Sequence, residues 1–167
     1  VLLRGAAAWG DTQVIPVLIR DISDTHPDFE LPESPWPYGL DLDIVGPLGS
    51  AIGGDGTPVY TGGPDGVGTS STDGPTAFND WFHTTAATQG TTIVNLTLDN
   101  GLAVPGGVYV FDDQEFFPID GALGGNQGRT HNYHFTMEMH TTFTYEAGQS
   151  FSFTGDDDLF VYIDGEL

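Results

Sequence analysis

The chain has no cysteine. Disulfides, thiolate nucleophiles and zinc–thiolate sites are therefore excluded, although that alone does not fix the compartment. Cationic side chains are nearly as scarce. Arg4, Arg20 and Arg129 are the whole set, against 24 Asp and Glu, for a formal net charge of -21. Such a charge repels phosphate backbones and anionic lipid, so no nucleic-acid partner is expected. No run is long and apolar enough to span a bilayer, and no membrane insertion is expected either. Phosphate-cradling loops, a Ser-centred elbow and a metalloprotease helix are also missing. Carboxylates abound, but abundance gives no acid–base specificity, so the chain does not read as an enzyme. Its first eight residues lack the layout of a secretory leader and do not begin with Met, which suggests a mature or truncated product.

What is present is a domain's worth of apolar residues. At 167 residues, with 38% hydrophobic and 12% aromatic side chains, the chain can bury a real core and is not a disordered acidic tail. The acid is mostly aspartate, which favours turns and hard-cation sites over helices. A solvated acidic surface and a set of calcium ligands both fit that bias.

Residues 14–20 (Val-Ile-Pro-Val-Leu-Ile-Arg) predict the first strand, with Pro16 pointing to an edge or a bulge. Prolines break up residues 21–37, where Trp36 and Tyr38 would anchor the segment. Glycine-rich residues 39–76 carry a short strand candidate at 42–45 and, over 53–60, a turn entering another short strand; 62–75 reads as loop. Residues 76–83 are the one helix candidate, with Phe78, Trp81 and Phe82 at helical spacing. Strands follow at 91–98 and 108–111, and residues 121–128 read as loop. Over 133–145 a long alternation puts Tyr133, Phe135, Met137, Met139, Phe143 and Tyr145 on a core face. His134, Thr136, Glu138, His140, Thr142 and Thr144 would then be solvated.

The stretch around which the rest is organised is 151–165. Phe151 and Phe153 alternate with polar residues, and 159–163 is a continuous apolar run expected to be a strand buried on both sides. Between them stand Asp156, Asp157 and Asp158. Three adjacent carboxylates need a positive charge among them, and this chain has almost none to offer, so Ca²⁺ is the natural candidate. An acidic turn held by backbone N–H groups is the alternative. Asp164-Gly165 reads as a hairpin turn. Asp112-Asp113 reads as an exposed turn, and His131, His134, His140 and Glu138 as polar residues of a solvated face rather than a metal set. Asn95-Leu96-Thr97 matches the glycosylation sequon, which matters only in a eukaryotic secretory host and reads as incidental in a strand.

The run from Phe151 through Thr154-Gly155-Asp156-Asp157-Asp158-Leu159 to Ile163-Asp164-Gly165 resembles the signature of PA14-type domains, most closely their fibro-slime branch. Other stretches resemble that branch in the same order: Ile15-Pro16-Val17 with Ile19-Arg20-Asp21, Thr25-His26-Pro27-Asp28-Phe29-Glu30, Asp55-Gly56 with Pro58-Val59-Tyr60, and Phe78 with Trp81-Phe82. Phe116-Phe117-Pro118-Ile119-Asp120-Gly121 and His131-Asn132-Tyr133 with Phe135-Thr136 complete the set. The resemblance covers nearly the whole chain. It implies one domain over 1–167, an all-β, antiparallel PA14-like β-sandwich with long loops and at most one short helix. It also implies an extracellular or cell-surface location. In lectin-like members a cis-linked aspartate pair holds the calcium that binds sugar hydroxyls, and Asp156 and Asp157 match that pair. Such domains continue with further strands, so this chain is expected to be truncated at its C-terminus.

Two functions follow as expectations. One is a calcium-dependent carbohydrate-binding adhesion module, with Asp156, Asp157 and Asp158 as metal ligands and Trp36, Tyr60 or Trp81 stacking on a glycan. The other is a structural subunit of a surface fibre or matrix that self-assembles by strand addition.

Overall fold

The computed structural model describes residues 2–4, 12–29, 51–66, 72–101, 108–144, 147–155 and 159–167. The fold is all-β. Strands β1 (Leu2–Arg4), β2 (Thr12–Ile22), β3 (Thr88–Asp99), β4 (Val108–Val110) and β5 (Phe135–Met139) form one sheet in the order β1-β4-β3-β2-β5. β4 pairs antiparallel with both β1 and β3. The single helix among the described residues is α1 (Pro75–Phe82).

The chain forms two compact units. The first takes in Val1–Ile19, Thr92–Pro118 and Met137–Leu159; the second takes in Arg20–Thr91, Ile119–Thr136 and Phe160–Leu167. In the first unit the buried side chains are mainly aliphatic: Ile15, Val17, Ile19, Leu96, Leu98 and Val108, with Tyr109. Those of β2 (Ile15, Val17, Ile19) and β3 (Leu96, Leu98) sit at alternate positions because strand side chains alternate between faces, whereas Val108 and Tyr109 of β4 are neighbours and both buried. β3 keeps this period over its whole length, with Gln89, Thr91, Ile93, Asn95, Thr97 and Asp99 exposed.

The second unit buries Ile22, Ala77, Phe78 and Ile119, but also Asp21, His26, Thr57, Thr72, Asn132 and His134. Its helix begins at Gly74, whose φ of 141° suits glycine, and Pro75 follows where a missing N–H costs nothing. No side chain of the cap residue itself closes the helix end. Asp65 does so from a distant loop, accepting from Thr76 N at 2.8 Å and Thr76 Oγ1 at 2.6 Å. Phe78 is buried in this unit, and its ring packs on Tyr60 and Phe82 at 5.1 and 4.8 Å.

Several expectations are corrected. As a whole β2 is not an edge strand, because it lies between β3 and β5. However, the five residues of β5 cannot face all eleven of β2, which leaves places where a missing N–H is tolerated. Among the described residues, which exclude Tyr145, the strand expected over 133–145 is confined to Phe135–Met139, and its faces are not as the alternation implied. Tyr133 and Phe143 are exposed, while His134 is buried. Two hydrogen bonds fix the backbone there, one from nearby and one from across the fold: Asn132 Oδ1 accepts from His134 N at 2.9 Å, and Ile22 N of β2 donates to His134 O at 2.8 Å.

Nor is 159–163 a strand buried on both sides. Leu159, Val161 and Ile163 are exposed, and no named strand includes them. Strand propensity becomes a strand only where a partner supplies the ladder. The Asp164-Gly165 turn forms as expected. Both residues have positive φ (52° and 85°), and Ile163 and Glu166 exchange backbone hydrogen bonds of 2.9 and 3.1 Å.

Candidate functional site

The second unit holds the densest polar organisation, and Asn132 is its centre. Asn132 is fully buried. Its Nδ2 donates to Asp21 Oδ1 at 3.1 Å and to Gly125 O at 3.0 Å; its backbone N donates to Asp120 Oδ1 at 2.7 Å. Both amide protons are thus used, and with Oδ1 on His134 N the side chain is satisfied. Asp21, also fully buried, takes Gly124 N at 2.7 Å on its other oxygen.

The glycine-rich segment 119–132 is therefore not a loose loop. Gln127 ties it to β2, accepting from Asp24 N at 2.6 Å and donating to Ile22 O at 3.0 Å. Within it, Asn126 accepts from Gly121 N and donates to Thr130 O. Its rim carries Asp120, whose Oδ2 meets His131 Nδ1 at 2.6 Å. The His131 hydrogen bond and the Asn132 backbone N–H hold the Asp120 carboxyl below its usual range.

Beside it lies an aromatic cluster. His26 has no exposed side-chain surface, and its ring packs on Trp81 (4.6 Å) and Phe29 (5.8 Å). Phe29 also meets Trp81 at 4.8 Å and His134 at 4.5 Å, both edge-on. Asp28 N donates to His26 Nδ1 at 3.2 Å, so the ring proton belongs on Nε2, which faces Asp80 Oδ2 at 3.5 Å. Asp28 in turn accepts from Trp81 Nε1 at 2.9 Å and from Asp73 N at 2.8 Å. His134 Nδ1 is buried without a hydrogen-bond partner. Burial pushes the His134 imidazole below its ordinary value, and the Arg129 charge adds to this; Asp24 and Asp21 pull the other way.

At the far end of α1, His83 Nε2 lies 3.1 Å from Asp55 Oδ2 and 3.3 Å from Thr57 Oγ1. Asp55 Oδ1 caps its own turn through Thr57 N and Oγ1. The His83 contact first, then the Thr57 bonds, lower the Asp55 carboxyl to about 2.

Of the residues singled out in the sequence, Trp81 stands in the aromatic cluster with its indole N–H on Asp28. Tyr60 packs against Phe78, and its hydroxyl is buried without a hydrogen-bond partner. Trp36, Asp156, Asp157 and Asp158 lie outside the described residues. Among the described residues no three His, Asp or Glu side chains gather as a metal ion would require. No helix there is long and apolar enough to cross a membrane. The polar core of Asp21, Asn132 and His134 was missed in the sequence. Its signal was the concentration of Asn, Asp and Gly over 119–132, which marks turns closed by side chains.

No family model matches the chain, and no solved structure matches it with significance. Curated proteins do. Protein psiC of Dictyostelium discoideum is 36% identical over 153 residues, covering 85% of this chain and 28% of its own length. Protein psiD of the same organism is 34% identical over 170 residues, or 94% of this chain and 32% of its own length. Protein psiR, also from that organism, is 32% identical over 171 residues, or 94% of this chain and 16% of its own length. The chain thus spans no more than about a third of the curated relatives it matches. The similarity to psiC and psiD runs through both compact units, since it covers most of the chain.

Proposed function

We propose that this chain is an extracellular PA14-like module that binds calcium and, through it, carbohydrate, in adhesion. The observation that carries the reading is the run Asp156-Asp157-Asp158 in a chain with only three cationic side chains. Among the described residues, five carboxyls are already occupied. Asp21, Asp28, Asp55, Asp65 and Asp120 each accept from two or more donors of the chain itself. Those hydrogen bonds close turns, cap α1 and hold the 119–132 segment, so the proposal is of binding rather than catalysis. Asp156, Asp157 and Asp158 would supply oxygen ligands, with affinity in the extracellular range of about 10⁻⁴–10⁻³ M.

Calorimetric calcium titration of the chain and of Asp156→Ala/Asp157→Ala tests this. Binding that vanishes in the double variant supports the site, and a glycan array with and without chelator then identifies the sugar. No heat with either protein removes the calcium-lectin reading.

A second reading has its own support. Leu159, Val161 and Ile163 are exposed at alternate positions, 45%, 38% and 56%, while Phe160 and Tyr162 between them are half-buried. Phe160 rests on the Phe82 ring at 6.4 Å. An apolar strand-like row without a ladder suits a structural subunit that accepts a neighbour's strand. Ordered assembly in sedimentation or microscopy without sugar favours that reading; a monomer at all concentrations removes it.

A further inference from the structure

We propose that Asn95 is an acceptor for an N-linked oligosaccharide. The inference rests on the extracellular reading above, because transfer takes place only on chains that enter a secretory route.

Asn95-Leu96-Thr97 is the one Asn-x-Ser/Thr triplet of the sequence, and its middle residue is not proline. β3 turns Leu96 inward, to 2% exposure, and leaves Asn95 and Thr97 outward on one face. The acceptor amide and the hydroxyl that the transferase reads are therefore both on the open row of the strand. Asn is a poor strand residue, so an outer strand position gives it no conformational reason to be there. Neither the Asn95 side chain nor that of Thr97 hydrogen-bonds to another described residue. Asn126 and Asn132 differ, since their amide nitrogens are taken up by Thr130 O, Asp21 and Gly125 O. Ile93, two positions away on the same row, is 61% exposed, an apolar surface that an attached sugar would shield.

The donor is a lipid-pyrophosphate-linked oligosaccharide. Asn95 Nδ2 bonds to the anomeric carbon of its first sugar while the bond from that carbon to the phosphate oxygen breaks. Nδ2 loses one proton and the lipid pyrophosphate leaves. The folded strand then holds the product without rearrangement, because Asn95 already faces out.

The test routes the full chain, behind an added leader, through the secretory path of a eukaryotic cell and reads its intact mass. The expected result is a gain of one oligosaccharide, removed by peptide-N-glycosidase with conversion of Asn95 to Asp. N95Q and T97A should lack the gain, and T97S should keep it at lower occupancy. If N95Q fails to fold, T97A gives the same readout with Asn95 in place. Secreted, folded wild-type protein whose Asn95 peptide is unmodified overturns the proposal. Calcium titration of the same sample separates the two readings. A glycosylated protein that takes up neither calcium nor sugar supports Asn95 as acceptor and overturns the lectin module.

Discussion

In the first unit the buried positions are mostly carbon and mostly on strands: Ile15, Val17, Ile19, Leu96, Leu98, Val108 and Tyr109, with Asn100 as a polar member. In the second, Asp21, His26, Asn132 and His134 share the interior with Ile22, Phe78 and Ile119. The first kind of core is non-directional: any apolar side chain of suitable volume contributes in proportion to the area it buries. The second is directional. A buried polar group stabilises only when its partners stand at hydrogen-bond distance, and a lost partner leaves the other group desolvated and unpaired. Substitutions should therefore be tolerated by shape in one unit and by chemistry in the other.

The sharpest way to break that contrast is Asn132→Ala. It strips partners from Asp21, Gly125 O and His134 N, each costing about 1–3 kcal/mol when left unsatisfied. Urea unfolding should show the largest loss of stability here; a change comparable to an exposed-site substitution would mean that the network carries little. Leu98→Ala should follow, at about 2–5 kcal/mol for a fully buried leucine. Leu98→Met, which keeps the volume, should cost under about 1.5 kcal/mol. Equal damage from both Leu98 variants would contradict a core tolerant of shape-conserving change.

Smaller still is Trp81→Phe, which keeps an aromatic ring in the cluster but removes the indole N–H from Asp28. A loss of about 1 kcal/mol is expected. Protonation should separate the units as well. His134 has a folded-state value depressed below 6.5, so the unfolded chain takes up its proton first as the pH falls. Its contribution is present above about pH 6.5 and drains away as the pH drops further. His134→Gln should flatten the stability profile in that window, measured by denaturant midpoints from pH 7 downward. The smallest effect is at exposed Asp55. It stabilises above its ordinary 3.8 and ceases to as the pH falls through about 2, so Asp55→Asn should alter only the extreme acid limb.

The aliphatic unit was largely legible in advance. The strands at 14–20, 91–98 and 108–111 correspond to β2, β3 and β4, because a period of two with β-branched residues has few other readings. The helix at 76–83 was legible from Phe78, Trp81 and Phe82, although not its cap, since Asp65 lies eleven residues from Thr76. The polar unit was not. Its 119–132 segment read as loop, and His134 as solvated, because the partners that make burial affordable come from β2, more than a hundred residues away in sequence.

The sequence by itself determined an all-β chain with one short helix, a strongly acidic surface, the Asp164-Gly165 turn and the absence of thiol chemistry. These depend on local conformational preference and on composition, which need no partner. Folding in three dimensions set which aspartates and histidines are interior, that β2 has neighbours on both sides, and that Leu159, Val161 and Ile163 form no strand. Each of those outcomes depends on what stands opposite a residue across the fold. A hydrogen bond or a ladder needs both its ends, and the sequence names only one at a time.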